Sequence, residues 1–207
     1  MSKIKNKGTG AGGSNTNKSG KAFEASTSME TLLLENGFVH KKFAKTKTSY
    51  LLNKVEDDLE IIYLRQCGFK NYMLKEYKFK IDAYPDEAFL ILKKGKLVKI
   101  KIFEMKNQNG EGSVDMKVFN GPFWIYYYKT VCKDIDIEYA FCLSEWFKTK
   151  IEKNDRFKIG INFLKENNIN IYFECDQNER YKWVTDNKEE NVDSLTESIS
   201  KKLIIID

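Results

Sequence analysis

The chain has 207 residues, 42% hydrophobic and 31% charged, with a formal net charge of +5, an ordinary globular composition long enough for one domain with its own core. No apolar run approaches the roughly 18–20 residues of a membrane span, and the polar N-terminus lacks the apolar stretch of a secretory signal, so the expected address is the cytoplasm. A single histidine, His40, and four scattered cysteines without a C-x-x-C pair argue against structural zinc, a His or Cys–His mechanism and a serine triad.

What remains as chemistry is carboxylates, lysine and a hard metal ion. The charge is unevenly placed. Residues 1–54 hold ten lysines against three acids (Glu24, Glu30, Glu35), whereas residues 176–207 hold five basic and eight acidic residues. A basic front suits a polyanion, and nucleic acid is the commonest one.

Residues 1–20 are rich in Gly, Ser, Asn and Lys and predict a flexible basic arm ahead of a single domain over 21–207. An amphipathic helix is expected over 21–36, with Phe23, Leu32, Leu33 and Leu34 apolar and Gly37 as its stop. The lysine run at 41–47 reads either as phosphate contacts or as a solvated loop. Residues 50–66 place apolar and acidic residues at helical spacing; the chain after Gly68 reads as extended, and 76–84 alternates like a half-buried strand. A hairpin follows, with strands at 88–92 and 97–106 about the turn Lys93-Lys94-Gly95-Lys96.

Residues 114–134 are dense in aromatics and helical after Pro122; such a stripe reads as core packing, with base stacking as the alternative. A strand at 138–147, a helix at 156–169, a strand at 170–175 and a closing helix near 191–202 complete the chain. The predicted class is α/β (α+β), a central mixed sheet flanked by helices.

The hairpin carries the chemistry. Alternation puts Glu104 and Lys106 on one face of the second strand, and folding about 93–96 brings Asp86 beside Glu104. Two converging carboxylates repel unless a cation sits between them, and oxygen ligands select a hard ion such as Mg²⁺. Lys106 beside them can hold a water for attack on phosphorus. Asp82 is the rival to Asp86, and a solvated strand face is the alternative for the whole set. Gln108 follows the same face, as a water- or base-orienting group or as a polar strand end.

Pro85-Asp86, seventeen intervening residues and Glu104-x-Lys106 resemble the signature of the PD-(D/E)xK nuclease superfamily, type II restriction endonucleases in particular. The stretch NKSGKAFE (17–24) is similar to the family's first-helix entry, and QNGEGSVDMKV (108–118) to the segment after its catalytic lysine. The likeness spans roughly residues 17–145 and implies a restriction-endonuclease-like core. It also implies Mg²⁺-dependent hydrolysis of double-stranded DNA to 5′-phosphate and 3′-hydroxyl ends, with Mn²⁺ able to substitute and no small-molecule cofactor.

In that reading Asp86 and Glu104 bind metal, Lys106 positions water, Glu24 supports the metal–water network and Gln108 assists. Lys18, Lys21, Lys41, Lys42, Ser113, Asp115 and Lys117 are the candidate DNA contacts. Cutting both strands of a twofold-symmetric site calls for two active sites, hence a homodimer, with no membrane involved. A repair, junction-resolving or mobile-element nuclease of the same superfamily shares these residues; a non-catalytic nucleic-acid binder is the reading from another class.

Overall fold

The computed structural model describes residues 14–43, 50–109 and 114–186. The first part of the expected arm, the lysines at 45 and 47, Ser113 and the closing helix near 191–202 lie outside them, as does the side chain of Lys18.

The expected first helix is two helices, α1 (Ser14–Thr27) and α2 (Glu30–Glu35). The break is made by a buried carboxylate: Glu87 accepts from the Ser28 hydroxyl at 2.7 Å and from the Met29 N–H at 3.1 Å, which replaces the helical ladder there. α1 begins inside the segment expected as an arm, because a helix anchored by buried Phe23 propagates outward more cheaply than it nucleates.

After strand β1 (Val39–Lys42), the expected helix over 50–66 is instead the antiparallel pair β2 (Tyr50–Glu56) and β3 (Leu59–Leu64). Asp57 turns the chain at φ 52, a left-handed conformation that aspartate tolerates. Ile61, Ile62 and Tyr63 favour a strand and pair in register with the next hairpin.

Residues expected to be extended after Gly68 form α3 (Gln66–Tyr77), which buries Phe69 and Met73 one turn apart and ends at left-handed Lys78. The alternation over 76–84 is real, since Ile81 and Ala83 are buried while Lys80, Asp82 and Tyr84 are exposed, yet no ladder forms. The run lies against helices, and the Asp82 N–H donates to the Tyr127 hydroxyl at 2.7 Å. A period of two reported burial on alternate sides, not a strand partner.

The hairpin stands as expected, β4 (Glu87–Lys93) against β5 (Lys96–Lys106), closed by Lys94 and Gly95 at φ 49 and φ 74. Then come α4 (Val114–Phe119), α5 (Gly121–Val131) and β6 (Asp136–Leu143). The strand stops short of its expected end because α6 (Glu145–Lys153) starts there, followed by α7 (Asp155–Glu166), β7 (Ile169–Phe173) and α8 (Gln177–Thr185).

Among the described residues the strands form one seven-stranded mixed sheet in sequence order, antiparallel from β1 to β5 and parallel from β5 to β7. Helices cover both faces. α3, α4, α5, α6 and α7 pack Phe69, Val118, Tyr128, Phe147 and Leu164 on one side; α1, α2 and α8 bring Phe23, Leu33 and Val184 to the other. β4 is buried almost throughout, which accounts for its unbroken apolar run. No helix of the described residues is long and apolar enough to cross a membrane.

α7 approaches Phe119 through a glycine: a Cβ on Gly160 would stand 2.2 Å from that ring, which packs edge-on to Phe157 at 6.0 Å. Gly160→Ala is therefore expected to destabilise the fold by about 1–2 kcal/mol, the overpacking exceeding alanine's gain in helix propensity. Calorimetry would register this as a drop of several degrees in Tm; an unchanged or raised Tm would contradict the packing.

Candidate active site

β4–β5 pairing in the register Glu87↔Phe103 sets Asp86, one residue before β4, across from Glu104. The Asp86 carboxylate accepts from the Met105 N–H at 2.8 Å, which fixes it at the strand end. The same Oδ2 accepts from Lys106 Nζ at 3.2 Å, and Glu104 Oε2 accepts from that nitrogen at 2.5 Å. One ammonium thus joins both carboxylates. The three side chains are only 11%, 16% and 21% exposed for Asp86, Glu104 and Lys106, so they interact at reduced dielectric.

The electrostatics follow from that burial. Desolvation pushes the Glu104 carboxyl up to about 7, Lys106 opposing and the facing Asp86 reinforcing the shift. Burial alone would lower the Lys106 pKa, but Glu104 and Asp86 together outweigh it and hold it above the ordinary lysine value. Glu24 arrives from α1, half-buried; burial and then the charge of Asp86 raise its pKa, while Lys106 and Arg65 pull it down. Glu24, Asp86, Glu104 and Lys106 therefore form one electrostatic group, assembled from a helix and a hairpin.

The other candidates are dispersed. Gln108 lies beyond β5, buried, with its backbone fastened to Ser144: its N–H donates to Oγ at 3.1 Å and its carbonyl accepts from that hydroxyl at 2.9 Å. Asp82, exposed, is paired with Lys70 at 3.1 Å. Asp115 is buried and bound by Arg156 of α7, a tie between helices, and Lys117 is exposed on α4. Lys41 and Lys42 sit on β1 at the edge of the sheet, where Lys41 reaches Asn53 at 3.3 Å and Glu60 at 3.6 Å. Lys21, exposed on α1, is near enough to Glu24 for its charge to be felt.

A cleft of about 1170 Å³ opens at the opposite end of β5, around Val98, Lys99, Lys101 and Trp183. Its buried Lys101 caps α8, donating to the carbonyls of Trp183 at 2.6 Å and Asp186 at 3.0 Å, and Lys99 pairs with Asp136 at 3.1 Å. Those two cations are occupied in holding the fold.

Sequence reasoning did not single out Glu87 or Arg65. Glu87 looks like one acid of the Asp86-Glu87 pair, and only the sheet shows it pointing away from Asp86 to the α1–α2 break, where the Tyr63 hydroxyl also donates to it at 2.8 Å. Arg65 carried a signal that was available, namely the rarity of arginine in a lysine-rich chain.

No protein-family model, curated protein or solved structure matches the chain. Among the described residues no three Asp, Glu, His or Cys side chains cluster as a ready-made metal cage. The donor set is two carboxylates around a common cation. That fits Mg²⁺, which keeps several waters and is usually held by one or two carboxylates together with substrate phosphate.

Proposed function

We propose that the chain is a Mg²⁺-dependent endonuclease of the cytoplasm that hydrolyses phosphodiester bonds in duplex DNA. It would act as a type II restriction enzyme at a specific site and leave 5′-phosphate ends. The observation that carries this reading is the convergence of Asp86 and Glu104 on the Lys106 ammonium, with Glu24 in electrostatic reach.

Asp86 and Glu104 are the residues that would hold the metal, Mg²⁺ or Mn²⁺. A divalent cation supplies a polarised water and neutralises charge on the phosphate. Lys106, kept protonated by its two carboxylates, does not serve as a base; its Nζ donates to and aligns the attacking water and offsets negative charge at phosphorus. Glu24, within electrostatic reach from α1, would accept hydrogen bonds from the same water network. A twofold site in DNA needs two such centres, which a homodimer supplies.

The test is a gel. Plasmid and phage DNA incubated with protein and Mg²⁺ should yield discrete fragments, and EDTA should abolish them. A smear would move the assignment to a nonspecific or structure-directed nuclease of the same chemistry. If no DNA or RNA is cut under any divalent metal, the reading fails.

A further inference from the structure

Three arginines stand among thirty-two lysines in this chain. Arginine offers a planar fork of donors where lysine offers a point charge, so a chain this sparing of arginine uses it where the fork is needed. Two of the three have structural tasks. Arg156 binds the buried carboxylate of Asp115, and Arg180, itself buried, donates to the Thr27 carbonyl at 2.7 Å.

Arg65 is the third. It follows Leu64, whose partner across the sheet is Ala88, and the next N–H, of Gln66, donates to the Pro85 carbonyl at 3.0 Å. Arg65 is thereby placed at the same sheet end as Asp86. The ion pair it makes, with Glu30 at 3.8 Å, is long for a charge-assisted hydrogen bond, and its side chain is 35% exposed. Its Nε is buried and has no hydrogen-bond partner among the described residues. Glu24 of the carboxylate cluster feels its charge, and so does Glu87, which faces the α1–α2 break.

The position is locally unfavourable. Arg65 is the residue that opens α3, where Ser, Thr, Asp or Asn would cap the helix, and it makes no side-chain cap; Gln66 beside it is held at φ 39. Local cost of this kind beside a charged cluster is what a functional position is expected to show.

We infer that Arg65 is a substrate contact in the hydrolysis proposed above, on which this assignment rests: its guanidinium grips non-bridging oxygens of the scissile phosphate. In the reaction the water oxygen bonds to phosphorus and the P–O3′ bond breaks. The hydroxyl of the water ends on the 5′-phosphate and its other proton on the 3′-oxygen. Arg65 stays charged throughout and offsets the negative charge that builds on the phosphoryl oxygens.

The experiment compares wild type with Arg65→Ala and Arg65→Lys, reading kcat, KM and Tm on cleavable DNA. R65A should lose about 10²–10³-fold in kcat with little change in KM, as for an interaction made in the transition state. R65K should recover only a small part, since one ammonium does not reproduce the fork. Tm should fall by no more than a few degrees, from loss of the Glu30 ion pair and of part-buried packing, far less than the rate loss. Should R65A fail to fold, Arg65→Gln is read in its place.

Wild-type cleavage by R65A, full rescue by lysine, or a rate loss matched by loss of folded protein would each overturn the assignment. These outcomes leave the hydrolysis reading standing. A wild-type protein that cuts nothing removes both.

Discussion

Lys106→Ala is expected to lower cleavage by about three orders of magnitude or more while the fold survives. Lys106 ends β5 with part of its side chain at the surface, so truncation opens little cavity. What it removes is the ammonium between Asp86 and Glu104. Two carboxylates then face each other partly desolvated, and the nearest relief is protonation of Glu104, already pushed up to about 7 by burial.

The stability cost should therefore stay near about 1–2 kcal/mol, below the 3–5 kcal/mol of a fully buried charge left alone. Because the variant has lost its internal cation, Mg²⁺ should raise its Tm more than that of wild type. Single-turnover cleavage of plasmid DNA, alongside melting with and without Mg²⁺, measures both effects. Undiminished cleavage by the variant would remove Lys106 from the chemistry.

The largest expected loss of stability belongs to Arg180→Ala. Arg180 is 2% exposed; it donates to the Thr27 carbonyl at 2.7 Å and to Cys142 Sγ at 3.6 Å, and its guanidinium faces the Phe103 ring at 5.8 Å. Alanine leaves a void beneath α8 and an unpaired carbonyl at the end of α1, together about 3–5 kcal/mol and roughly 10 °C in Tm. Arg180→Met fills the space without donating, and should recover most of the difference. Equal losses in the two variants would show that charge, not packing, is what Arg180 supplies. Because Thr27 closes the helix that carries Glu24, R180A should also lose activity at temperatures where it remains folded.

The mixed, helix-flanked sheet was legible where local chemistry and burial agreed. The Lys-Lys-Gly-Lys turn, the apolar run of β4 and the alternation of β5 left one workable register, and that register sets Asp86 across from Glu104. Around it, acidic residues spaced as on a helix hid the β2–β3 pair, whose turn depends on Asp57 adopting a left-handed conformation. The segment before Asp86 alternated without a partner, and the break between α1 and α2 depends on Glu87, which lies far along the chain. Within residues 21–36 only the Ser26-Thr27-Ser28 run ahead of Glu30 hints at that break. Asp115 looked like a loop group offered to DNA because its partner, Arg156, arrives on another helix. Spacing reports which face a residue shares; it does not report who comes to meet it from elsewhere in the sequence.

The bond from Arg180 to the end of α1 joins residues 153 apart in the chain, whereas Lys106 and Asp86 are separated by 20. During synthesis the hairpin can close soon after it leaves the ribosome. The end of α1 waits for its buried partner for roughly 8–30 s at about 5–20 residues per second. Time thus divides the cluster that space unites: its carboxylate pair and lysine meet early, and the helix bearing Glu24 is locked only when nearly the whole domain exists.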